Sequence, residues 1–175
     1  ISGIRRAIEI RELRTENVEL QHRVLDGKLT MPSAFQHIIT QNPAMQAIFK
    51  YIEAVAPSTK PILITGETGV GKELLALACH AASQRQGKFL AVNVAGLEDT
   101  AFSDTLFGHR RGAYTGAEDN RSGLLQETAG GTLVLDEIGD LSPASQVKLL
   151  RVLQSNEYFP LGSDTPRRSD TRLVV

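Results

Sequence analysis

The sequence contains one cysteine and no tryptophan, and its apolar runs are too short to cross a bilayer, so no membrane partner is expected. A single thiol, Cys79, excludes an internal disulfide framework and suits a reducing, cytoplasmic location, and we expect it to lie buried in a helix. A strong net charge is also missing, since the formal value is −1 over 175 residues. Without a domain-wide positive field no nucleic-acid groove is indicated, and the basic run 109–111 is interpreted as a solvated or subunit-facing patch.

The first 26 residues show a helical repeat. Residues that fit heptad a and d positions recur at spacings of three and four, namely Ile10, Leu13, Asn17, Leu20 and Val24. An asparagine at an a position favours a parallel dimer in one register. The pattern therefore predicts a coiled-coil linker helix over 1–26 that pairs two chains, with a single amphipathic helix packed on its own domain as the alternative. Glycine and proline then predict a linker over 27–34.

From residue 35 onward, short apolar runs alternate with helical segments. The pattern predicts strands at 61–65, 89–94, 132–136 and 172–175, and helices at 43–56, 72–83 and 143–155. Buried strands separated by helices favour a parallel β-sheet flanked by helices, which is the α/β class. Ser142 before Pro143 supplies an N-cap and a first-turn proline for the last of these helices.

A glycine-rich segment, GETGVGKE at 66–73, lies between a predicted strand and a predicted helix. Two glycines with four residues between them, followed by Lys72, are typical of a phosphate-binding loop, in which backbone N–H groups, the helix N-terminus and the lysine contact the phosphates. A serine or threonine usually follows the lysine as a Mg²⁺ ligand, so phosphate oxygens, water, Thr68 or an acid elsewhere must replace it. The predicted nucleotide-binding residues are Gly66, Glu67, Thr68, Gly69, Val70, Gly71, Lys72 and Glu73.

Two carboxylates follow the apolar run TLVL, and their position predicts that they are the catalytic acids of an ATPase. Asp136 can hold Mg²⁺ directly or through water, and Glu137 can orient or deprotonate the water that attacks the γ-phosphate. Adjacent acids can also be mere surface polarity, but acids at the end of a strand downstream of a phosphate loop favour catalysis. Asn93, at the end of the intervening strand, could hydrogen-bond Glu137, with an ordinary turn-forming asparagine as the alternative.

These residues closely resemble the central AAA+ domain of bacterial sigma-54-dependent transcription activators, the enhancer-binding proteins. The resemblance covers residues 35–175. Glu73 is the residue that this family usually has after the lysine, and VNVAGL resembles the family's strand whose asparagine, here Asn93, switches the catalytic glutamate. The sequence GAYTGA at 112–117 resembles the family's loop GAFTGA, with Tyr114 in place of phenylalanine.

The resemblance implies an AAA+ P-loop NTPase core that uses ATP and Mg²⁺, with Lys72, Asn93, Asp136 and Glu137 as catalytic residues. It also implies that Ile38 and Ile39 contact the nucleotide. In the family the loop projects from a ring of subunits, contacts the sigma-54 factor and moves with the nucleotide state, and the segment 160–168 lies where the family has a second loop. The implied partner-binding residues are Gly112, Ala113, Tyr114, Thr115, Gly116 and Ala117.

The implied function is ATP-dependent remodelling of the closed sigma-54 promoter complex. The coiled coil resembles a linker that follows a phosphorylatable receiver domain of a two-component system. Sensor residues, the arginine finger, the helical lid and a DNA-binding helix-turn-helix are expected beyond Val175, so these residues alone are expected to form at most a dimer, not a hexameric ring, with negligible ATPase activity. The alternatives are another AAA+ remodelling ATPase, such as a chelatase or helicase-like subunit, and a nucleotide-gated oligomeric interaction module.

Overall fold

The computed structural model describes residues 28–175, and the predicted coiled coil over 1–26 lies outside the described residues. Two short 3-10 helices, Pro32–Phe35 and Ile138–Asp140, accompany the regular elements. In chain order, those elements are α1 (Pro43–Val55), α2 (Lys72–Ser83), β1 (Phe89–Asn93), α3 (Asp99–Phe107), β2 (Gly108–His109), β3 (Arg121–Ser122), α4 (Leu124–Glu127), β4 (Thr132–Asp136), α5 (Pro143–Ser155), β5 (Glu157–Tyr158), β6 (Arg167–Arg168) and β7 (Arg172–Val174).

A three-stranded parallel sheet in the order β1-β4-β7 forms the centre of the fold, which confirms the predicted α/β class. The predicted strand 61–65 is wrong in extent, because only Ile62 forms a bridge, with Val174. The amide of Ile62 donates to the Leu173 carbonyl at 3.0 Å and that of Ile64 to the Val175 carbonyl at 2.8 Å, so the segment still lies beside β7. Pro61 has no N–H to extend the ladder.

Two β-hairpins and helix α3 were not predicted from the sequence. The antiparallel pair β2 and β3 encloses the loop 110–120, and the pair β5 and β6 encloses the loop 159–166. Strands of two residues have too little alternation to stand out from turns. Helix α3 was missed because its nine residues carry a weak apolar period, although Phe102 and Leu106 are buried.

Apolar side chains are buried on both faces of the sheet. One cluster packs α3 and α5 against β4, with Phe102, Leu106, Leu135 and Leu149 among its members. A second lies between α1 and α2 and contains Cys79, as predicted, where burial raises the pKa of the thiol. A third packs Ala76 of α2 against Val134 of β4 and Val174 of β7. The helices of residues 28–175 include none with the length and apolar character that crossing a membrane requires.

Helix boundaries follow the capping chemistry of the sequence. The side chain of Ser142 accepts a hydrogen bond from the Ser145 amide at 3.2 Å, which confirms the predicted N-cap of α5. Asn42 caps α1 in the same way through the Ala44 amide at 2.8 Å. Residues 28–35, which include most of the predicted linker, pack beside α1, since the Thr30 amide donates to a Glu53 carboxylate oxygen at 2.9 Å.

Arg172 joins the central sheet to the end of α1. Its side chain is only 2% exposed, although it carries a guanidinium. The guanidinium donates to the backbone carbonyls of Ala56 at 2.6 Å, Val55 at 2.8 Å and Lys60 at 3.2 Å. These carbonyls belong to the last turn of α1 and to the connection that leads toward residues 62–64. Burial lowers the pKa of Arg172, and the three acceptors compensate for its desolvation.

Candidate functional site

The glycine-rich segment 66–71 connects the residues beside β7 to the first turn of α2. Gly69 and Gly71 adopt left-handed φ values of 81° and 91°, where a side chain would be strained. Gly71 is the N-cap of α2, so the first amides of that helix open toward this loop. The loop thus turns into α2 through two glycines in a backbone conformation that other residues rarely adopt.

Lys72 reaches back across this loop. Its Nζ atom donates to the carbonyl oxygens of Gly66 and Glu67, both at 3.1 Å. An ammonium group has three donors, so one remains after these two contacts. The lysine therefore sits within reach of any anion in the loop.

A cavity of about 150 Å³ opens between α2 and the carboxyl ends of the strands. It brings together four of the residues expected at the nucleotide site, from α2, β1 and β4: Lys72, Glu73, Asn93 and Asp136. The rest of its wall is apolar and was missed by the sequence analysis: Ile64, Ala76, Ala91, Val92, Val134, Leu135, Val174 and Val175. Position at the carboxyl ends of parallel strands could have identified these residues, because ligands bind there in open α/β sheets.

Asp136 and Glu137 form a tight unit at the end of β4. The Glu137 amide donates to Asp136 Oδ1 at 3.0 Å, and both side chains are exposed. Glu137 has φ 61° and ψ 37°, a left-handed conformation that costs a residue with a side chain about 1 kcal/mol or more. This backbone conformation was not predicted from the sequence.

Asn93 lies next to Asp136 in the parallel register of β1 and β4. Its side-chain oxygen accepts a hydrogen bond from the Ala95 amide at 2.8 Å, which is the turn-forming arrangement. Among the hydrogen bonds of residues 28–175, none joins Asn93 to Glu137. The contact with Glu137 stays a prediction.

The two isoleucines expected at the nucleotide do not line the cavity. Ile38 is half-buried against the cluster between α1 and α2. Ile39 is 99% exposed. Glu67, Thr68 and Val70 also lie outside the cavity wall, on the exposed surface of the glycine-rich loop.

The loop 112–117 is a compact turn at the tip of the β2–β3 hairpin. The Gly112 amide donates to the Ala117 carbonyl at 2.8 Å, and the Ala117 amide donates to the Tyr114 carbonyl at 3.0 Å. Gly112 and Gly116 have left-handed φ values of 82° and 99°. Ala117 is buried, whereas Thr115 is exposed at the tip.

A buried carboxylate holds the base of this loop. Asp104, at the end of α3, accepts a hydrogen bond from His109 Nδ1 and another from Arg121 Nη1 at 2.6 Å. Burial alone would raise the pKa of Asp104, yet the hydrogen bonds from His109 and Arg121 outweigh it and hold that pKa below its usual value. The Tyr114 ring packs edge-on against His109 with centroids 5.2 Å apart. His109 is therefore a packed, hydrogen-bonded residue, which contradicts the solvated alternative for the basic run 109–111 and leaves the subunit-facing one a prediction.

The second loop contacts the first at its base. The Arg110 amide donates to the Leu161 carbonyl at 3.0 Å, and the Leu161 amide donates to the Gly108 carbonyl at 2.9 Å. A Cβ atom on Gly162 would lie 2.9 Å from the Ala113 Cβ, so only glycine permits this approach. The two loops therefore contact each other through backbone hydrogen bonds and through the close approach of Gly162 to Ala113.

Comparison with known proteins identifies relatives among transcriptional regulators. The family model described as Sigma-54 interaction domain matches residues 38–175. The chain is 43% identical over 170 residues to the Nif-specific regulatory protein of Herbaspirillum seropedicae, which covers 97% of this chain and 30% of that protein. It is 46% identical over 145 residues to the transcriptional regulatory protein ZraR of Klebsiella oxytoca, which covers 82% of this chain and 33% of that protein.

A solved structure has the same fold. The crystal structure of NtrX from Brucella abortus in complex with ATP matches with a TM-score of 0.67 and 32% identity, over 96% of this chain and 34% of that one. The chain spans about a third of the length of the relatives that it matches. Because the family model covers most of the chain, from residue 38 to residue 175, the protein belongs to the sigma-54 interaction domain family.

Proposed function

We propose that the protein binds and hydrolyses Mg-ATP to activate transcription by sigma-54 RNA polymerase, remodelling the closed promoter complex through loop 112–117. The observation that carries this proposal is the cavity that Lys72 and Asp136 share beside the glycine-rich loop. Membership of the sigma-54 interaction domain family supports the sigma-54 factor as the partner.

The segment 66–73 would hold the phosphates. Left-handed backbone at Gly69 and Gly71 and the N-terminus of α2 offer amide donors and a partial positive charge. Lys72 would exchange its carbonyl acceptors for phosphate oxygens, because a phosphate oxygen carries negative charge that attracts the ammonium more strongly than a neutral carbonyl oxygen does. The residues proposed to complete the nucleotide site are Gly66, Glu67, Thr68, Val70, Glu73, Ile38 and Ile39.

Asp136 is the proposed magnesium ligand. The hydrogen bond from the Glu137 amide occupies Oδ1, which orients the carboxylate and leaves Oδ2 for the metal or for a water on the metal. Within residues 28–175, no three His, Cys, Asp or Glu side chains form a group that could hold a metal ion. The other ligands would be phosphate oxygens, water or the Thr68 hydroxyl. Bound Mg²⁺ would neutralise charge on the phosphates.

Glu137 is the proposed residue that orients or deprotonates the attacking water. Its strained backbone and its exposure beside the cavity support this role, since strained residues cluster at functional sites. Asn93 would act as a positioning residue by donating from its side-chain NH₂ group to the Glu137 carboxylate, while its Oδ1 keeps the hydrogen bond from the Ala95 amide.

The loop 112–117 would transmit the nucleotide state to sigma-54. Its exposed tip at Tyr114 and Thr115 is the proposed contact, and the two left-handed glycines are the proposed hinges. The proposal also includes three features of the full-length protein. These are a hexameric ring, a coiled-coil dimer through residues 1–26, and a DNA-binding domain beyond Val175.

Substitution of Lys72 tests the phosphate site. We expect Lys72→Ala in the full-length protein to weaken ATP binding strongly while its circular dichroism stays unchanged. Lys88→Ala is the matched control, because Lys88 is an exposed lysine that lies outside the cavity wall. Calorimetry that finds the same ATP affinity for Lys72→Ala and Lys88→Ala would remove Lys72, and with it the phosphate loop, from the proposal.

A further inference from the structure

A second cavity lies at the base of the two hairpin loops. It measures about 240 Å³, and its wall is mainly polar. The side chains that matter here come from both hairpins: Arg110, Asn120, Arg121, Ser122 and Arg167. We call this cavity the arginine cleft.

The positive charge of the arginine cleft is only partly neutralised. Arg121 pairs with Asp104 at 2.6 Å, and its side chain remains 56% exposed. Arg167 donates to the neutral Gln126 side chain at 2.7 Å. Within residues 28–175, the side chain of Arg110 makes no hydrogen bond or ion pair. Two of the three guanidinium groups therefore lack a carboxylate partner in the described part of the chain.

Nearby acidic groups do not cancel this charge. Asp104 already bonds both His109 and Arg121, and Glu157 pairs with Arg168 at 3.5 Å. The exposed acids at 118–119 belong to the descending arm of the first loop and lie outside the cleft wall.

The neutral groups of the cleft add donors. Asn120 accepts from the Arg111 amide at 3.0 Å through Oδ1, which leaves its NH₂ group to donate. The hydroxyl of Ser122 is a further donor at the wall. A pocket that offers guanidinium, amide and hydroxyl donors and few acceptors is chemically complementary to an anion.

We propose that the arginine cleft binds a carboxylate of an acidic segment of sigma-54, beside the contact made by loop 112–117. This inference rests on the proposed function, because the partner is the same. The cleft is a single pocket between two hairpins on a chain of formal charge −1. A nucleic-acid backbone would instead require a basic stripe that contacts successive phosphates. The backbone pairing of Arg110 with Leu161 joins the cleft to both loops, so a carboxylate bound there would be moved together with the loop tip.

The test compares neighbouring arginines inside and outside the cleft. Fluorescence anisotropy measures the affinity of labelled sigma-54 for the full-length protein in the presence of ADP and aluminium fluoride. We expect Arg110→Glu to weaken sigma-54 binding about tenfold or more, because it replaces attraction by repulsion. We expect the control Arg111→Glu to change it by about twofold or less, because Arg111 lies outside the cleft wall.

A second pair of variants changes arginines of the other hairpin, β5–β6. Arg167→Gln should weaken sigma-54 binding about two- to fivefold, whereas Arg168→Gln, outside the cleft, should leave it within about twofold. ATP affinity is measured for all four variants to check that each remains folded. A folding defect in one variant cannot reproduce the result at both hairpins.

The outcomes separate this inference from the proposed function. If the wild-type protein does not bind sigma-54, the proposed function is wrong and the inference is wrong with it. If the wild type binds but the cleft and control variants behave alike, only the inference is overturned. The inference would also be overturned if the cleft variants lost binding to a promoter DNA duplex but still bound sigma-54. That result would favour a phosphate group as the ligand of the cleft.

Discussion

The substitution Arg172→Met should cause a large loss of stability without touching the nucleotide site. Arg172 is 2% exposed, and its guanidinium holds three backbone carbonyls at the end of α1 and in the connection that follows. Methionine keeps most of the side-chain length and apolar contact but has no N–H donor. The Ala56 carbonyl would then be buried without its Arg172 partner, and the Val55 carbonyl would keep the hydrogen bond from the Ser58 amide.

The expected loss follows from these three contacts. Hydrogen bonds that involve a charged group each contribute about 1.5 to 3 kcal/mol, so their removal alone would cost more than about 4 kcal/mol. Part of that loss is offset, because methionine does not carry the desolvation cost that lowers the pKa of Arg172. We therefore expect the free energy of unfolding to fall by about 3 to 5 kcal/mol. This is a large share of the roughly 5 to 15 kcal/mol that a domain has.

Urea denaturation followed by circular dichroism measures this loss. With a slope of about 2 kcal/mol per molar urea, the midpoint should fall by about 2 M. Arg168→Met is the matched control, since Arg168 is 86% exposed and its ion pair spans 3.5 Å, and it should cost less than about 0.5 kcal/mol. Arg172→Lys should lie between the two, because an ammonium group cannot reach three carbonyls in one plane. A urea midpoint for Arg172→Met within about 0.5 M of the wild-type midpoint would show that the hydrogen bonds of Arg172 to the end of α1 do not stabilise the fold.

Three further predictions concern the two functional regions of the full-length protein. Glu137→Gln should bind Mg-ATP but lose about a hundredfold or more of turnover, and normal phosphate release would remove Glu137 from catalysis. Thr115→Ala should keep ATP hydrolysis but lose sigma-54 in a pull-down with a transition-state analogue, so retained binding would make loop 112–117 a structural turn. Asp104→Asn should cost about 1 to 3 kcal/mol at pH 7. Because its folded pKa lies below the usual 3.8, this cost should persist above that pH and shrink as the pH falls through the lowered pKa, whereas a constant difference in urea titrations down to pH 3 would argue against a charged Asp104.

The amino-acid sequence by itself determined the features that consecutive residues build. The glycine-rich segment before Lys72 predicts a turn between a strand and a helix, and the structure has a loop there with positive φ values at Gly69 and Gly71, which glycine adopts easily. The Ser142–Pro143 pair specifies a helix start, and helix α5 begins there. Both are local, because each depends on backbone conformation and on hydrogen bonds within a few residues.

The tertiary structure alone decided which distant residues meet. Arg172 contacts carbonyls more than a hundred positions earlier in the chain. Asp104 accepts hydrogen bonds from two strands of a hairpin, and those strands are too short to show an alternation of apolar and polar residues. The extent of the segment 61–65 likewise depended on its one sheet neighbour, β7. Such contacts arise when whole helices and strands pack together. Buried polar groups then need hydrogen-bond partners, and any part of the chain that packs nearby can supply them. No spacing along the chain encodes these contacts, which is why the glycine-rich loop before α2 could be predicted from the sequence and the arginine cleft could not.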